Sequence, residues 1–169
     1  ENTLTTDVDV LRNVEALTFG QQVVQLSDTE ITSLNASGEF TGTGAGEVFA
    51  GTTGNDVVYA ANGDDLLIGG DGNDHLRGQS GDDYLNGGLG DDRVVGGQGN
   101  DFILGGAGDD FIAGHQGDDH IFAGAGDDTL RGGTGHDVMY GGSGNDRIGG
   151  RAGDDLIFGG DGDDWIAGG

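Results

Sequence analysis

The sequence lacks cysteine, proline and lysine entirely, and it has one methionine and one tryptophan among its 169 residues. Without cysteine there is no disulfide framework, although this absence does not fix the compartment. Without proline, and without glycine at every third position, a collagen helix is excluded. No apolar run approaches the roughly 20 residues of a transmembrane helix. The scarcity of basic residues predicts that nucleic acid is not a partner, because its recognition needs basic patches.

Acidic residues and glycine dominate instead. The chain has 31 Asp and Glu against six arginines, a formal net charge of −25, and 40 glycines. High net charge with few large apolar residues is typical of disordered chains, and glycine loses the most backbone entropy on folding. We therefore expect the chain to fold only when a bound cation offsets both the entropy loss and the self-repulsion.

A nine-residue period organises most of the chain. Thirteen consecutive nonads fill residues 51–167 without an insertion or deletion, as in GGQGNDFIL followed by GGAGDDFIA. Position four is always glycine, and position eight is always aliphatic or methionine. Position six is always aspartate: Asp56, Asp65, Asp74, Asp83, Asp92, Asp101, Asp110, Asp119, Asp128, Asp137, Asp146, Asp155 and Asp164.

The nonad has a direct physical interpretation. Glycines at positions one, two and four predict a tight turn over the first six residues. The last three residues predict a short strand, in which the position-eight side chain faces one way and its neighbours face the other. One such strand cannot bury its apolar residue alone, but copies stacked about 4.8 Å apart can. Departures from glycine at position one, at Ala60 and Ala123, are expected to carry strain if φ is positive there.

The pattern resembles the RTX family of calcium-binding nonapeptide repeats, whose consensus is GGxGxDxUx. The resemblance implies an all-β fold, a right-handed parallel β-roll (a β-solenoid) in which two nonads make one turn and calcium lies between loops 18 residues apart. The implied ligands are the position-six carboxylates and backbone carbonyls near positions one, three and five. The position-five residues are Asn55, Asp64, Asn73, Asp82, Asp91, Asn100, Asp109, Asp118, Asp127, His136, Asn145, Asp154 and Asp163.

The chemistry of these residue types agrees with calcium. Calcium takes six to eight oxygen ligands from carboxylates and carbonyls, whereas zinc and copper sites draw on nitrogen and sulfur. Odd-numbered nonads provide seven loops with six gaps between them, and even-numbered nonads provide six loops with five gaps. If each gap holds one Ca²⁺, about eleven ions nearly cancel the net charge of −25. Metal binding would then supply folding free energy.

The chain divides into two predicted regions. Residues 1–41 lie outside the repeat and are expected to form a short non-repeat β segment that caps the roll, or alternatively the end of an upstream domain. Residues 42–169 are assigned to the calcium-binding β-roll. Residues 42–50 form a degenerate nonad with Glu47 at position six, where it is either a further ligand or a solvated side chain. The chain begins without an initiator Met or signal peptide, and we expect it to be a fragment.

The two outer faces differ in composition. Positions seven and nine of the odd nonads include four of the six arginines. The corresponding positions of the even nonads carry ten apolar or aromatic residues among twelve: Leu66, Ile68, Tyr84, Asn86, Phe102, Leu104, His120, Phe122, Val138, Tyr140, Leu156 and Phe158. Monomers rarely expose apolar patches of this extent. We therefore expect the even face to contact residues 1–41, a neighbouring domain or a second copy.

The leading functional hypothesis is a module that folds on calcium binding outside the cell. By resemblance it belongs to a large bacterial protein exported by type I secretion, and it is secreted or extracellular. The alternatives are the C-terminal β-roll of a secreted protease, lipase or alginate epimerase, or the stalk of an RTX adhesin. No catalytic role is predicted for this chain itself, because adjacent carboxylates recur in most repeats rather than forming one active site. The four histidines are expected to be surface residues.

Overall fold

The structure is a computed structural model that describes residues 39–169 and the backbone of two earlier strands. Those strands, β1 (Ala16–Phe19) and β2 (Gln22–Gln25), pair with each other in antiparallel orientation. They are the short β segment expected ahead of the repeat. The capping role of residues 1–41 stays a prediction, and most of that segment lies outside the described residues.

The repeats form two parallel sheets whose strands alternate along the chain. The odd sheet contains eight strands: β3 (Glu39–Thr41), β5 (Val57–Asn62), β7 (His75–Ser80), β9 (Arg93–Gln98), β11 (Phe111–Gln116), β13 (Thr129–Thr134), β15 (Arg147–Ala152) and β17 (Trp165–Ala167). The even sheet contains seven: β4 (Val48–Ala50), β6 (Leu66–Asp71), β8 (Tyr84–Leu89), β10 (Phe102–Ala107), β12 (His120–Ala125), β14 (Val138–Ser143) and β16 (Leu156–Asp161).

Each strand pairs with the strands two before and two after it, in a register of 18 residues. In β10, for example, Ile103 lies opposite Ile121 of β12 and Leu85 of β8. Two nonads therefore complete one turn, and the chain makes about seven turns. No helix is present among the described residues. The predicted all-β parallel solenoid is confirmed, and its right-handed sense stays a prediction.

Most strands are longer than the three residues expected from the nonad. The complete strands span six residues, from position seven of one nonad to position three of the next. The pairing omits position one: in β10 it includes Leu104 and Gly106 but passes over Gly105. The pairing resumes at positions two and three, Gly106 and Ala107 in β10, before the chain enters the loop that leads to the other sheet.

The core is a single file of position-eight side chains between the two sheets. From Val58 to Ile148 each of these residues is at most 1% exposed. At the first rung, Phe40 of β3 stacks on Phe49 of β4 with ring centroids 5.4 Å apart. At the last rung Ile166 is 47% exposed. Because β3 pairs with β5 in the odd sheet, the solenoid includes Glu39–Thr41 as well as residues 42–169.

The left-handed backbone does not fall where the sequence analysis placed strain. Ala60 and Ala123 at position one are fully buried in the core and are not among the residues with positive φ. The non-glycine residues with positive φ all occupy position two: Ala61, Gln79, His115 and Arg151, at 82° to 89°. Position one still follows the strand, so its Cβ points into the roll, and the turn begins one residue later.

The outward face of the even sheet is buried at one end and exposed at the other. Val48, Leu66 and Tyr84 occupy position seven and are 2%, 1% and 7% exposed. Leu156 and Phe158 on β16 are 52% and 44% exposed. Between these ends runs a row of aromatic rings with centroid separations of 4.6 to 5.4 Å: Tyr84, Phe102, Phe122, Tyr140 and Phe158.

Candidate metal centre in the aspartate ladders

The position-six aspartates form two ladders, one in the loops before the odd strands and one in the loops before the even strands. Every member from Asp56 to Asp146 is at most 2% exposed. One carboxylate oxygen, Oδ1, accepts a hydrogen bond from the backbone N–H of the aspartate 18 residues earlier. Asp83 donates to Asp101 at 3.0 Å, and Asp101 donates to Asp119 at 2.9 Å. The repeat spacing thus brings the predicted carboxylates into register.

The second carboxylate oxygen of most members has no hydrogen-bond partner. These buried atoms are Oε2 of Glu47 and Oδ2 of Asp65, Asp74, Asp83, Asp92, Asp101, Asp110, Asp119, Asp128, Asp137, Asp146 and Asp155. An unpartnered buried anionic oxygen is costly, because it has lost its hydration without gaining a donor. A regular row of such atoms is the arrangement expected of ligands to a hard cation.

Glycine at position one makes room for these oxygens. A Cβ on Gly87 would collide with Oδ2 of Asp92 and would lie 2.6 Å from the carbonyl oxygen of Gly105. A Cβ on Gly141 would likewise meet Asp146 and the Gly159 carbonyl, at 2.5 Å. A carboxylate oxygen and a position-one carbonyl from the next turn therefore converge on one small space.

A second ladder, on the exposed side of the loops, was missed by the sequence analysis. The position-five side chain accepts a hydrogen bond from the backbone N–H of position five in the next turn, as Asn55 does from Asn73 at 2.9 Å. His136 keeps this pattern with its Nδ1, which accepts from Asp154 at 3.0 Å. The signal was available, since position five is always Asn, Asp or His and each has an acceptor at the same distance from the backbone.

The backbone carbonyl oxygens of position five, unlike the position-five side chains, take no part in the hydrogen bonds between the described turns. Within residues 39–169 they accept none of the backbone hydrogen bonds that join the loops. The position-three carbonyls, by contrast, accept from the position-four N–H 17 residues earlier, as Gln98 does from Gly81 at 2.8 Å. The position-five carbonyls thus retain full acceptor capacity beside the carboxylates.

Burial raises the pKa of the ladder carboxyls, and the neighbouring carboxylates add to the effect, while the backbone hydrogen bonds only partly oppose it. Without a bound cation, several interior carboxyls therefore titrate near neutral pH instead of near the ordinary aspartate pKa of about 3.9. The raised pKa values are about 8 for Asp65 and Asp101, about 7 for Asp83, Asp110 and Asp119, and about 6 for Asp74 and Asp128.

Glu47 belongs to the even ladder rather than to the solvated surface. It is 3% exposed, and its backbone N–H donates to Oδ1 of Asp65 at 2.6 Å. Its Oε1 accepts from the backbone N–H and hydroxyl of Thr43 at 2.8 and 2.6 Å. Burial alone would raise the pKa of Glu47, but the hydrogen bonds from Thr43 outweigh it and the pKa is lowered. The degenerate nonad therefore continues the ladder by one member.

The donor set matches a cation that prefers oxygen. Among the described residues, no group of three or more His, Cys, Asp or Glu side chains converges on one point. A cation here would be held by individual carboxylates together with backbone carbonyls, which suits calcium.

The histidines do not come together as a site. His75 accepts a hydrogen bond from Arg77 at 3.2 Å, while His115, His120 and His136 are exposed. No helix among the described residues has the length and apolarity needed to cross a bilayer.

Comparison with known proteins agrees with this geometry. A family model described as the RTX calcium-binding nonapeptide repeat in four copies matches overlapping windows at residues 41–76, 60–94, 68–103, 87–121, 104–139, 113–148 and 140–169. Among curated proteins, a search finds no match. The family windows cover residues 41–169 without a gap and include both aspartate ladders. The chain therefore belongs to the RTX calcium-binding nonapeptide repeat family.

Proposed function

We propose that this calcium-binding module folds outside the cell as part of a large bacterial protein exported by type I secretion. The observation that carries the proposal is the row of twelve buried carboxylate oxygens without a hydrogen-bond partner. A chain with a net charge of −25 cannot retain these charges inside a fold unless cations or protons neutralise them. Calcium fits the oxygen-only donor set and supplies two positive charges for each ion.

The position-six carboxylates from Asp56 to Asp164 would hold the ions, with Glu47 as a further ligand. The additional donors would be the position-one carbonyls, which lie beside the ladder carboxylates, and the position-five carbonyls, which accept none of the backbone hydrogen bonds that join the loops. About eleven sites would neutralise most of the charge. The chemistry that calcium supplies is charge compensation and cross-linking of successive turns. Its binding free energy then appears as folding free energy.

The calcium requirement supports the proposed location. Extracellular calcium modules work in the range of about 10⁻⁴ to 10⁻³ M, far above cytosolic calcium. A chain of this composition would remain unfolded during synthesis and export and would fold after it meets external calcium. RTX repeats are typically found in secreted proteins.

We also propose that the first turns of the even face contact another surface: the N-terminal segment, a neighbouring domain or a second copy. Val48, Leu66 and Tyr84 support this proposal, because they occupy outward strand positions and are nevertheless buried. Ile68, Phe102 and Leu104 pack against them.

Circular dichroism of the full chain tests the calcium proposal. In chelator we expect a largely disordered spectrum, and on titration with calcium to millimolar concentration we expect a cooperative gain of β structure. Magnesium should substitute poorly, because it demands a small octahedral shell. A folded spectrum at neutral pH in chelator would contradict the proposal.

A matched pair of variants tests the ladder as the calcium site. Asp101 lies between Asp83 and Asp119 and therefore borders two proposed sites, whereas Asp164 ends the odd ladder and borders one. Asp101→Asn keeps an oxygen that can accept the Asp83 hydrogen bond but removes the charge. Its calcium midpoint should rise more than that of Asp164→Asn, because stability in repeat proteins depends on neighbouring turns. Equal shifts in the two variants would rule out shared ligands between turns.

A further inference from the structure

Two of the thirteen nonads have alanine instead of glycine at position one. These residues are Ala60, which begins the second nonad, and Ala123, which begins the ninth. Both are fully buried, and both belong to the apolar core together with the position-eight side chains. Their methyl groups therefore point into the roll and not into solvent.

The other odd nonads show what surrounds position one. A Cβ built there would collide with Oδ2 of the position-six aspartate of the same nonad. It would also lie 2.5 to 2.6 Å from the position-one carbonyl oxygen of the next turn. The glycines with this geometry are Gly69, Gly87, Gly105 and Gly141. Position one thus adjoins the space on which a carboxylate oxygen and a carbonyl oxygen converge.

Ala123 occupies the same place in this row. The pairing of β12 with β14 passes over Ala123, as the pairing of β10 passes over Gly105, and φ is not positive at Ala123. By the repeat, its neighbouring oxygens are Oδ2 of Asp128 and the carbonyl oxygen of Gly141. A Cβ in a folded protein essentially never lies within 3.0 Å of such atoms. We infer that the methyl group keeps these two oxygens out of the space that their equivalents share beside glycine.

The hydrogen-bond ladder nevertheless continues through the ninth nonad. The backbone N–H of Asp110 donates to Oδ1 of Asp128 at 2.7 Å, and that of Asp128 donates to Oδ1 of Asp146 at 2.9 Å. Oδ2 of Asp128 is buried without a hydrogen-bond partner. The methyl group of Ala123 therefore leaves the hydrogen bonds between turns intact and acts only on the oxygen that would face a cation.

Ala60 repeats the arrangement in the even ladder. Oδ1 of Asp65 accepts the backbone N–H of Glu47 at 2.6 Å, while its Oδ2 is buried without a partner. A Cβ on Gly78, the next position-one residue of this ladder, would collide with Oδ2 of Asp83. The even ladder therefore has the same need for an empty space beside Oδ2, and Ala60 fills that space with a methyl group.

We propose that Ala60 and Ala123 each close one calcium site, so that the saturated chain binds two fewer ions than it has gaps between loops. The thirteen nonads have eleven such gaps, and closing two leaves nine. Calcium needs six to eight oxygen ligands at about 2.3–2.6 Å, and a methyl group supplies none while it holds two oxygens away. The closed gaps lie between nonads 2 and 4 and between nonads 9 and 11. This proposal rests on the calcium function proposed above.

The gap on the other side of each alanine keeps its site. The carbonyl oxygen of Ala123 lies 2.6 Å from a Cβ built on Gly105, as the carbonyl oxygen of Gly105 lies 2.6 Å from a Cβ built on Gly87. Alanine thus provides the backbone oxygen that one gap needs, and its side chain obstructs only the next gap. One substitution is therefore expected to change the calcium count by one ion and not by two.

Equilibrium dialysis of the full chain against millimolar calcium counts the bound ions, with atomic absorption measuring calcium on both sides of the membrane. The NaCl concentration is kept high enough to screen the non-specific attraction of calcium to the acidic chain. Circular dichroism under the same conditions verifies folding. Ala60→Gly and Ala123→Gly should each bind one more calcium ion than the natural chain, and the double variant should bind two more.

Ala125→Gly is the matched control. Ala125 lies in the same nonad as Ala123 but is exposed at position three, so its replacement opens no space beside Asp128. Its calcium count should equal that of the natural chain. Gly105→Ala is the reverse test, because it places a methyl group beside Asp110 and should remove one ion.

An unchanged calcium count in folded Ala60→Gly and Ala123→Gly would overturn the proposal. If the alanines served only to fill the core, these variants would need more calcium to fold and would bind the same number of ions. An equal gain in Ala125→Gly would also overturn it. These results would leave the calcium function standing, whereas a natural chain that binds no calcium would refute both.

Discussion

Glycine at position four adopts a left-handed backbone conformation from Gly63 to Gly162. Gly99 has φ +123°, and a Cβ built on it would collide with the Gly81 carbonyl of the preceding turn. Two costs therefore fall on a side chain at Gly99: a left-handed backbone and a backbone clash across turns. Position two has a similar geometry, since a Cβ on Gly106 would collide with the Gly88 carbonyl, yet Gln79 and Arg151 are accommodated there with positive φ.

Replacing Gly99 with alanine should lower the free energy of unfolding of the calcium-loaded chain by about 1–3 kcal/mol. Urea unfolding in saturating calcium measures the change. Gly54→Ala is the matched control, because Gly54 does not have positive φ and the nearest atom to its added Cβ is Thr52 Oγ1 at 3.8 Å. Comparable losses in the two variants would refute the assignment of the cost to backbone conformation and clash.

At the scale of the strand, chemically similar positions of the even sheet meet different environments. Leu66 on β6 and Leu156 on β16 both occupy position seven and both face outward from the same sheet. Leu66 is 1% exposed and Leu156 is 52% exposed. The repeat pattern alone makes these two leucines equivalent, so the difference arises from what surrounds the two ends of the solenoid.

Cysteine labelling distinguishes the two ends cleanly, because the natural chain contains no cysteine. In saturating calcium, Leu66→Cys should react with a maleimide reagent more slowly than Leu156→Cys. An opening free energy of only about 1.4 kcal/mol slows labelling about tenfold. In chelator both cysteines should react at the same fast rate. If the rates are also equal in calcium, the first turns of the even face are not covered.

At the scale of the whole molecule, the charge of the ladders links folding to pH. The metal-free folded chain raises the pKa of its ladder carboxyls, from about 6 at Asp74 to about 8 at Asp65 and Asp101. In the unfolded chain an aspartate has a pKa of about 3.9. A raised folded pKa means that protonation stabilises the fold, with a contribution that is complete below about pH 4 and is lost as pH rises through 6 to 8.

Two consequences follow for the full chain. In chelator, β structure should increase as pH falls from 8 towards 5, because protons neutralise the ladders in place of calcium. The calcium midpoint should decrease as pH rises through the same range, since bound protons compete with the metal. Circular dichroism titrations at several pH values measure both effects. A calcium midpoint that is independent of pH would show that the ladder carboxylates are not the ligands.

The nonad pattern by itself determined the parallel solenoid, the inward position-eight residues and the alignment of the position-six aspartates. This was possible because each residue contacts its equivalents 18 residues away, so the local repeat already specifies the tertiary neighbours. Asp101, for example, is placed between Asp83 and Asp119 by the 18-residue spacing alone, and the structure shows it hydrogen-bonded to both.

Only the tertiary structure decided what depends on the bends of the chain and on the ends of the stack. It restricted the left-handed backbone to positions two and four and excluded position one, because the strand continues through Ala60 and Ala123. It revealed the side-chain ladder of position five, whose acceptors meet backbone donors only after the loops stack. It also separated Leu66 from Leu156. A periodic sequence does not encode these features, because they arise from differences between turns and from their surroundings.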